Sequence, residues 1–97
     1  MKPIACDLTA LAPAERRRHD ALRHELKGLR REVRELEHGY AFAYPAERLL
    51  EVAEFVTLER RCCPFFDFTL EVSSETDTIV LQLTGAPGVK EFLASQR

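Results

Sequence analysis

The stretch ERRCCPFFDFTLEV, Glu59 to Val72, contains the change of period on which the fold turns. Up to the cysteine pair the pattern is helical. In PAERLLEVAEFVTLERRCC, which opens at Pro45, the residues Leu49, Val52, Ala53 and Val56 share one stripe; Leu50 and Phe55 widen it, and Leu58 and Cys62 extend it. Beyond Pro64 the period is two. Phe66, Phe68, Leu70 and Val72 face one way, and Asp67, Thr69 and Glu71 the other. Proline supplies the break, because its ring clashes with a helical conformation at the residue before it, Cys63. The helix must therefore stop at the two thiols, and a strand must follow.

Working outward, SSETD is a polar turn, and TIVLQLTG alternates again with Ile79, Leu81 and Leu83 inward. GAPG ends that strand, and VKEFLASQR carries Val89, Phe92 and Leu93 as a short closing helix. Upstream, EVRELEHGYAFAYP places Tyr40, Phe42 and Tyr44 at alternate positions. It reads as a hairpin of Val33–Glu37 and Tyr40–Tyr44, with Gly39 supplying a positive φ in a His38-Gly39 turn. A first helix is expected from Pro13 to Arg31, with Leu22, Leu26, Leu29 and Val33 on one stripe and Pro13 in the first turn. KPIAC, before it, suits an edge strand that tolerates Pro3. The expectation is an α+β fold in one domain, residues 1–97. It is a two-layer sandwich in helix–hairpin–helix–hairpin–helix order, with an antiparallel sheet of about four to five strands packed against helices.

Of 97 residues, 14 are basic and 16 acidic, for a net charge of −2, which argues against a nucleic-acid partner. The basic residues of ERRRHDALRHELKGLRREVR, Glu15 to Arg34, alternate with acids as on a solvated helix face; the rival is a weak surface for an anionic partner. No stretch approaches the length of about 18 apolar residues needed to span a membrane, so no membrane partner is expected. MKPIACDLTAL has no long apolar run and places Asp7 early, so a cytoplasmic location is expected.

The chemistry centres on the thiols. Three cysteines are an odd number, a poor basis for a stable disulfide framework. Cys62 and Cys63 are neighbours, about 3.8 Å apart at Cα, which is short of the roughly 4.4–6.8 Å of ordinary disulfides. Adjacency instead suits two thiolates converging on one soft ion. Cys6 is a third sulfur at another junction, and joins the pair if its segment lies beside the strand at Phe65. Such a site takes copper(I), mercury(II) or arsenic(III), and takes zinc with a further ligand: Glu59, one helical turn back, or His19 or His24. The plain alternative is core packing, since free cysteine behaves as a small hydrophobe, and Cys6 taken alone is read that way. His19 and His24 are five apart, do not share a face, and read as solvated. Arg60 and Arg61 favour a helix C-terminus and would lower the pKa of nearby thiols. No Ser/His/Asp arrangement and no acid–base pair of carboxylates is visible, which favours binding over catalysis.

TLERRCCPFFDFTLEV followed by IVLQLTGAPGVKEFL resembles a group of small bacterial proteins that share a Glu, a Cys-Cys-Pro-Phe core, an alternating strand and a Gly-Pro-Gly-Phe-Leu-like close. Similar segments accompany MerR-type regulators of heavy-metal response. IACDLTALAPAERRRH and GYAFAYP extend the resemblance over most of the chain. It implies thiol-reactive or heavy-metal handling by Glu59, Cys62 and Cys63, with Cys6 alongside. A MerR-like helix-turn-helix is missing from this sequence. The leading expectation is a soft-metal or metalloid binding protein, a scavenger, carrier or sensing module, using Cys62, Cys63, Cys6 and Glu59. The rivals are a homodimeric protein–protein interaction module with structural cysteines, and a thiol redox protein in which Cys6 resolves a mixed disulfide.

Overall fold

Pro13 opens α1, Pro13–Leu29, at the position where its missing N–H costs nothing. Glu15 reaches back to accept a hydrogen bond from the Ala12 amide at 2.9 Å, closing the first turn. The computed structural model describes residues 4–96, and the next elements are β1, Glu32–Leu36, and β2, Gly39–Pro45. A short 3-10 turn, Ala46–Arg48, leads into α2, Leu49–Cys62. The strands β3, Asp67–Glu71, and β4, Thr78–Thr84, form the second hairpin, and α3, Val89–Gln96, closes the described chain. The fold is α+β, with a four-stranded antiparallel sheet in the order β1-β2-β4-β3.

Register decides what the sheet buries. Phe42 stands opposite Leu81 and Tyr44 opposite Ile79, while Leu83 faces both Tyr40 on β2 and Phe68 on β3. These residues form one apolar face that shares a core with Leu22 and Leu26 of α1, Val52, Phe55 and Leu58 of α2, and Val89 and Leu93 of α3. On the other face, Ala41 and Ala43 are covered although their side chains are small. Their cross-strand neighbours are longer: Arg34 and Gln82 flank Ala41, and Glu32 and Val80 flank Ala43.

The helices α1 and α2 run antiparallel, and charge fixes their register. Glu15 pairs with Arg61 at 2.6 Å, Arg18 with Glu54 at 2.7 Å, and Glu25 with Arg48 at 3.3 Å. Exposed pairs of this kind are each worth less than about 1 kcal/mol. Their effect is to set which residues of the two helices meet.

Four expectations need correction. The segment expected as an edge strand at KPIAC is not one among its described residues, Ile4, Ala5 and Cys6; Lys2 and Pro3 lie outside them. The chain there runs past the end of α2 and donates only one backbone hydrogen bond to it, from Asp7 N to Cys62 O at 2.7 Å. α1 stops at Leu29, two residues before the expected Arg31. The first hairpin turns at Glu37 and His38, and the sole described residue with positive φ is Gly88. Gly39 is required for a different reason: a Cβ there would lie 1.9 Å from the Leu83 carbonyl oxygen. Leu50 and Val72 do not join the core stripes, being 80% and 55% exposed. Leu50 stands one residue off the inward stripe of α2, and β3 ends before Val72.

Two glycine substitutions separate these effects. Gly28 lies in α1 with nothing within 4 Å of an added Cβ, so Gly28→Ala should raise unfolding free energy by about 0.5–1 kcal/mol. Gly39→Ala should lower it by more than about 2 kcal/mol, since a backbone carbonyl must move. Urea unfolding of both variants checks this pair, and a neutral Gly39→Ala would contradict the close packing of β2 on β4.

Candidate functional site

The end of α2 gathers the chemistry. Glu59 precedes the cysteines by one helical turn, so its carboxylate lies over both sulfurs. Its Oε1 is 3.7 Å from Cys62 Sγ and 3.2 Å from Cys63 Sγ. The helix ends where Pro64 requires it. Cys63 leaves the helical region with φ −125° and ψ 70°, yet its amide still donates to Glu59 O at 2.8 Å. Both cysteines are buried in the core.

From α1, His19 reaches the same carboxylate oxygen, with Nε2 3.1 Å from Glu59 Oε1. Facing a carboxylate, Nε2 is the nitrogen that carries hydrogen. The side chain is only 10% exposed and its ring stacks on Phe55, with ring centroids 5.4 Å apart and planes at 13°. The solvated reading of this histidine is therefore corrected. The signal was present in the sequence. His19 stands three residues before Leu22, which itself precedes Leu26 by four, so it extends the buried stripe by one turn. Its spacing from His24 carried no information, since His24 is exposed.

Cys6 is bonded to Cys63, and the bond joins positions 57 apart in sequence. The odd cysteine count pointed away from a disulfide, but an odd number leaves one thiol over, here the buried Cys62. Core packing of Cys6 is also corrected, because Cys6 is exposed while its partner is buried. The adjacent pair is not bonded: Cys62 Sγ and Cys63 Sγ are 3.7 Å apart. Proximity of Cys6 to the pair is thus decided by a connection that spans more than half the chain.

Electrostatics act against a thiolate at Cys62. Burial comes first, and the Glu59 carboxylate adds to it by charge and by accepting the thiol hydrogen, so that the pKa is pushed up to about 11. The expected help from arginine is small because Arg61 is engaged elsewhere. It donates to Glu15 Oε2 at 2.6 Å and to the Ala10 carbonyl at 3.2 Å.

Two sets of candidate ligand atoms result, and they share one carboxylate. His19, Glu59 and Cys62 have ligand atoms within 4.8 Å of one another, and so do Cys6, Glu59 and Cys63. In a tetrahedral site with sulfur about 2.3 Å from the ion, two sulfurs lie about 3.8 Å apart. The Cys62–Cys63 separation of 3.7 Å matches that spacing. In the disulfide form only His19, Glu59 and Cys62 keep their donor atoms; reduction adds two sulfurs beside the same carboxylate.

The site opens into a cavity of about 320 Å³ between α1, the sheet and α3. Its apolar walls include Phe42, Leu83, Phe55, Phe66 and Phe92. Tyr44 also lines it as a neutral phenol, with burial raising its pKa to about 12 against the opposing charge of Arg30. No helix among the described residues is long and apolar enough to cross a membrane. Comparison with protein-family models, curated protein sequences and solved structures found no match.

The geometry sets two outcomes. The disulfide closes a long loop, and loop-closure entropy for its 57-residue separation corresponds to about 4 kcal/mol in the unfolded state. Cys6→Ser should therefore lower unfolding free energy by about 2–4 kcal/mol relative to oxidised wild type. Urea unfolding measures it, and an unchanged midpoint would contradict the bond. Cys62 should resist iodoacetamide in the oxidised protein near pH 8, because only the thiolate reacts and its pKa is about 11. Labelling followed by mass spectrometry should accelerate tenfold per pH unit up to that range; rapid labelling at pH 8 would contradict a buried neutral thiol.

Proposed function

We propose that the reduced protein binds one soft metal or metalloid ion through Cys62 and Cys63, assisted by Cys6, Glu59 and His19, as a scavenger, carrier or sensing module. The observation that carries this reading is convergence. Sulfur, nitrogen and carboxylate donors from three separate chain segments meet around Glu59. Sulfur-rich sites favour copper(I), mercury(II) and arsenic(III), and zinc is accommodated where nitrogen and carboxylate join the thiolates. The resemblance of the Cys-Cys-Pro-Phe segment to proteins associated with heavy-metal response points the same way.

Loading requires reduction first. A dithiol or phosphine reductant delivers two electrons, and with two protons the Cys6–Cys63 bond becomes two thiols. The ion then displaces a proton from each thiol it binds. Burial that holds Cys62 as a thiol makes the proton a competitor, so binding tightens as pH rises.

The bond between Cys6 and Cys63 favours a second reading, a thiol–disulfide protein in which exposed Cys6 is the sulfur accessible to a partner thiol. The two readings use Cys62 differently. Metal binding needs it; exchange at the disulfide does not.

Native mass spectrometry of phosphine-reduced protein titrated with copper(I), mercury(II), arsenite and zinc(II) tests the proposal. One ion per chain is expected, lost in Cys62→Ser/Cys63→Ser and weakened by about tenfold or more in His19→Ala. Unchanged stoichiometry in the double cysteine variant would overturn it. Cys62→Ser that loses metal yet keeps normal disulfide reduction supports the metal reading; a reduced protein that binds no ion while its Cys6–Cys63 bond exchanges readily with a partner thiol would favour the redox reading.

A further inference from the structure

The thiol site occupies only one wall of the cavity, and the rest of its lining calls for a different ligand. Arg16, Arg23 and Lys27 line it from α1, and Arg30 lines it from the residue just past the helix end. Spacings of seven and four residues put Arg16, Arg23 and Lys27 on one helical face. The carboxylates in the lining are Asp20 and Glu59. Asp20 is occupied by Arg23 at 3.0 Å, and Glu59 lies beside the sulfurs with His19. Among the described residues, neither Arg16 nor Lys27 has an ion-pair partner. Arg30 sits over the Phe42 ring, its guanidinium carbon 5.3 Å from the centroid, where cation and apolar wall meet. The chain as a whole carries −2, so this concentration of positive charge is local.

The remaining lining is largely aromatic and aliphatic. Phe66 and Phe92 have ring centroids 6.2 Å apart, and Leu83 and Leu93 join them. Small-molecule sites commonly combine a concave apolar body of about 300–1,000 Å³ with a few polar groups that fix orientation. At about 320 Å³, this cavity is at the small end of that range.

We propose that the cavity binds a small organic anion with an aromatic or branched apolar body, its carboxylate on the cationic face of α1 and its body between the sheet and α3. A phosphate alone would leave the apolar walls unfilled, and a neutral hydrocarbon would leave the cations without a partner. The inference stands on the cavity and its charges and does not depend on metal binding at the thiols.

The test uses oxidised, metal-free protein, so its outcome is separate from that of the metal titration. The probes are 1-naphthoate and its uncharged analogue 1-naphthalenemethanol, followed by calorimetry and by amide chemical shifts in two-dimensional NMR. Naphthoate should bind about tenfold more tightly than the alcohol, with shifts centred on Phe66, Leu83 and Leu93. Arg16→Gln/Lys27→Gln alters only exposed helix positions. It should weaken naphthoate by about tenfold and leave the alcohol unchanged. Equal affinity for acid and alcohol, shifts elsewhere on the surface, an unaffected double variant, or no binding at about 1 mM would each overturn the proposal.

Discussion

The end of α2 is the constraint on which the rest of the molecule depends. Pro64 prevents the helix from continuing, so the chain must turn there with two buried sulfurs on its last turn. Three tethers then fix that end in space. The disulfide holds the N-terminal segment against it, Arg61 joins it to Glu15 at the start of α1, and Glu59 joins it to His19. β3 begins only a few residues later and enters the sheet beside β4. A single helix end thereby sets the position of α1, the N-terminal segment and the second hairpin.

That crowding gives the site its chemical character. One carboxylate serves an imidazole and two sulfurs, so each group experiences the others. Burial holds the Cys62 thiol in its neutral form, and Glu59 beside it adds to the effect. The same neighbours become an advantage once a cation supplies the missing positive charge, because carboxylate, imidazole and thiolate are all electron-pair donors. On the proposed metal-binding reading, disulfide and ion compete for Cys63. Cys63 cannot be a thiolate ligand while bonded to Cys6, whereas Cys62 keeps its thiol in both states.

Charge is distributed with similar economy. The acids and bases of α1 look evenly mixed along the sequence, but the helix sorts them. Glu15 and Arg18 turn toward partners on α2 and Glu25 toward Arg48 in the turn before it, while Arg16, Arg23 and Lys27 turn to the cavity, joined there by Arg30 just past the helix end. A net charge near zero therefore conceals a cavity lined by cations and aromatic rings. Neither composition nor linear charge pattern distinguishes this arrangement from an ordinary solvated face.

The sequence by itself determined the elements, because their causes are local. Pro64 ended a helix, Pro13 began one, and the alternation of Tyr40, Phe42 and Tyr44 with that of Ile79, Leu81 and Leu83 chose the buried face of an antiparallel sheet. It also separated Cys62 from Cys63 as bonding partners, since neighbouring residues sit too close at Cα. It misjudged Gly39, whose need is clearance from the Leu83 carbonyl rather than a turn conformation. The burial of His19 follows from its place one turn before Leu22 and Leu26 on the buried stripe, and its spacing from His24 is irrelevant to it. Only the tertiary structure decided that Cys6 meets Cys63, that His19 reaches Glu59, and that three cations of α1, with Arg30 at its end, face one cavity. Each of those depends on how α1, α2 and the N-terminal segment pack. Contacts between residues far apart in the chain are fixed by shape and burial, which no local spacing records.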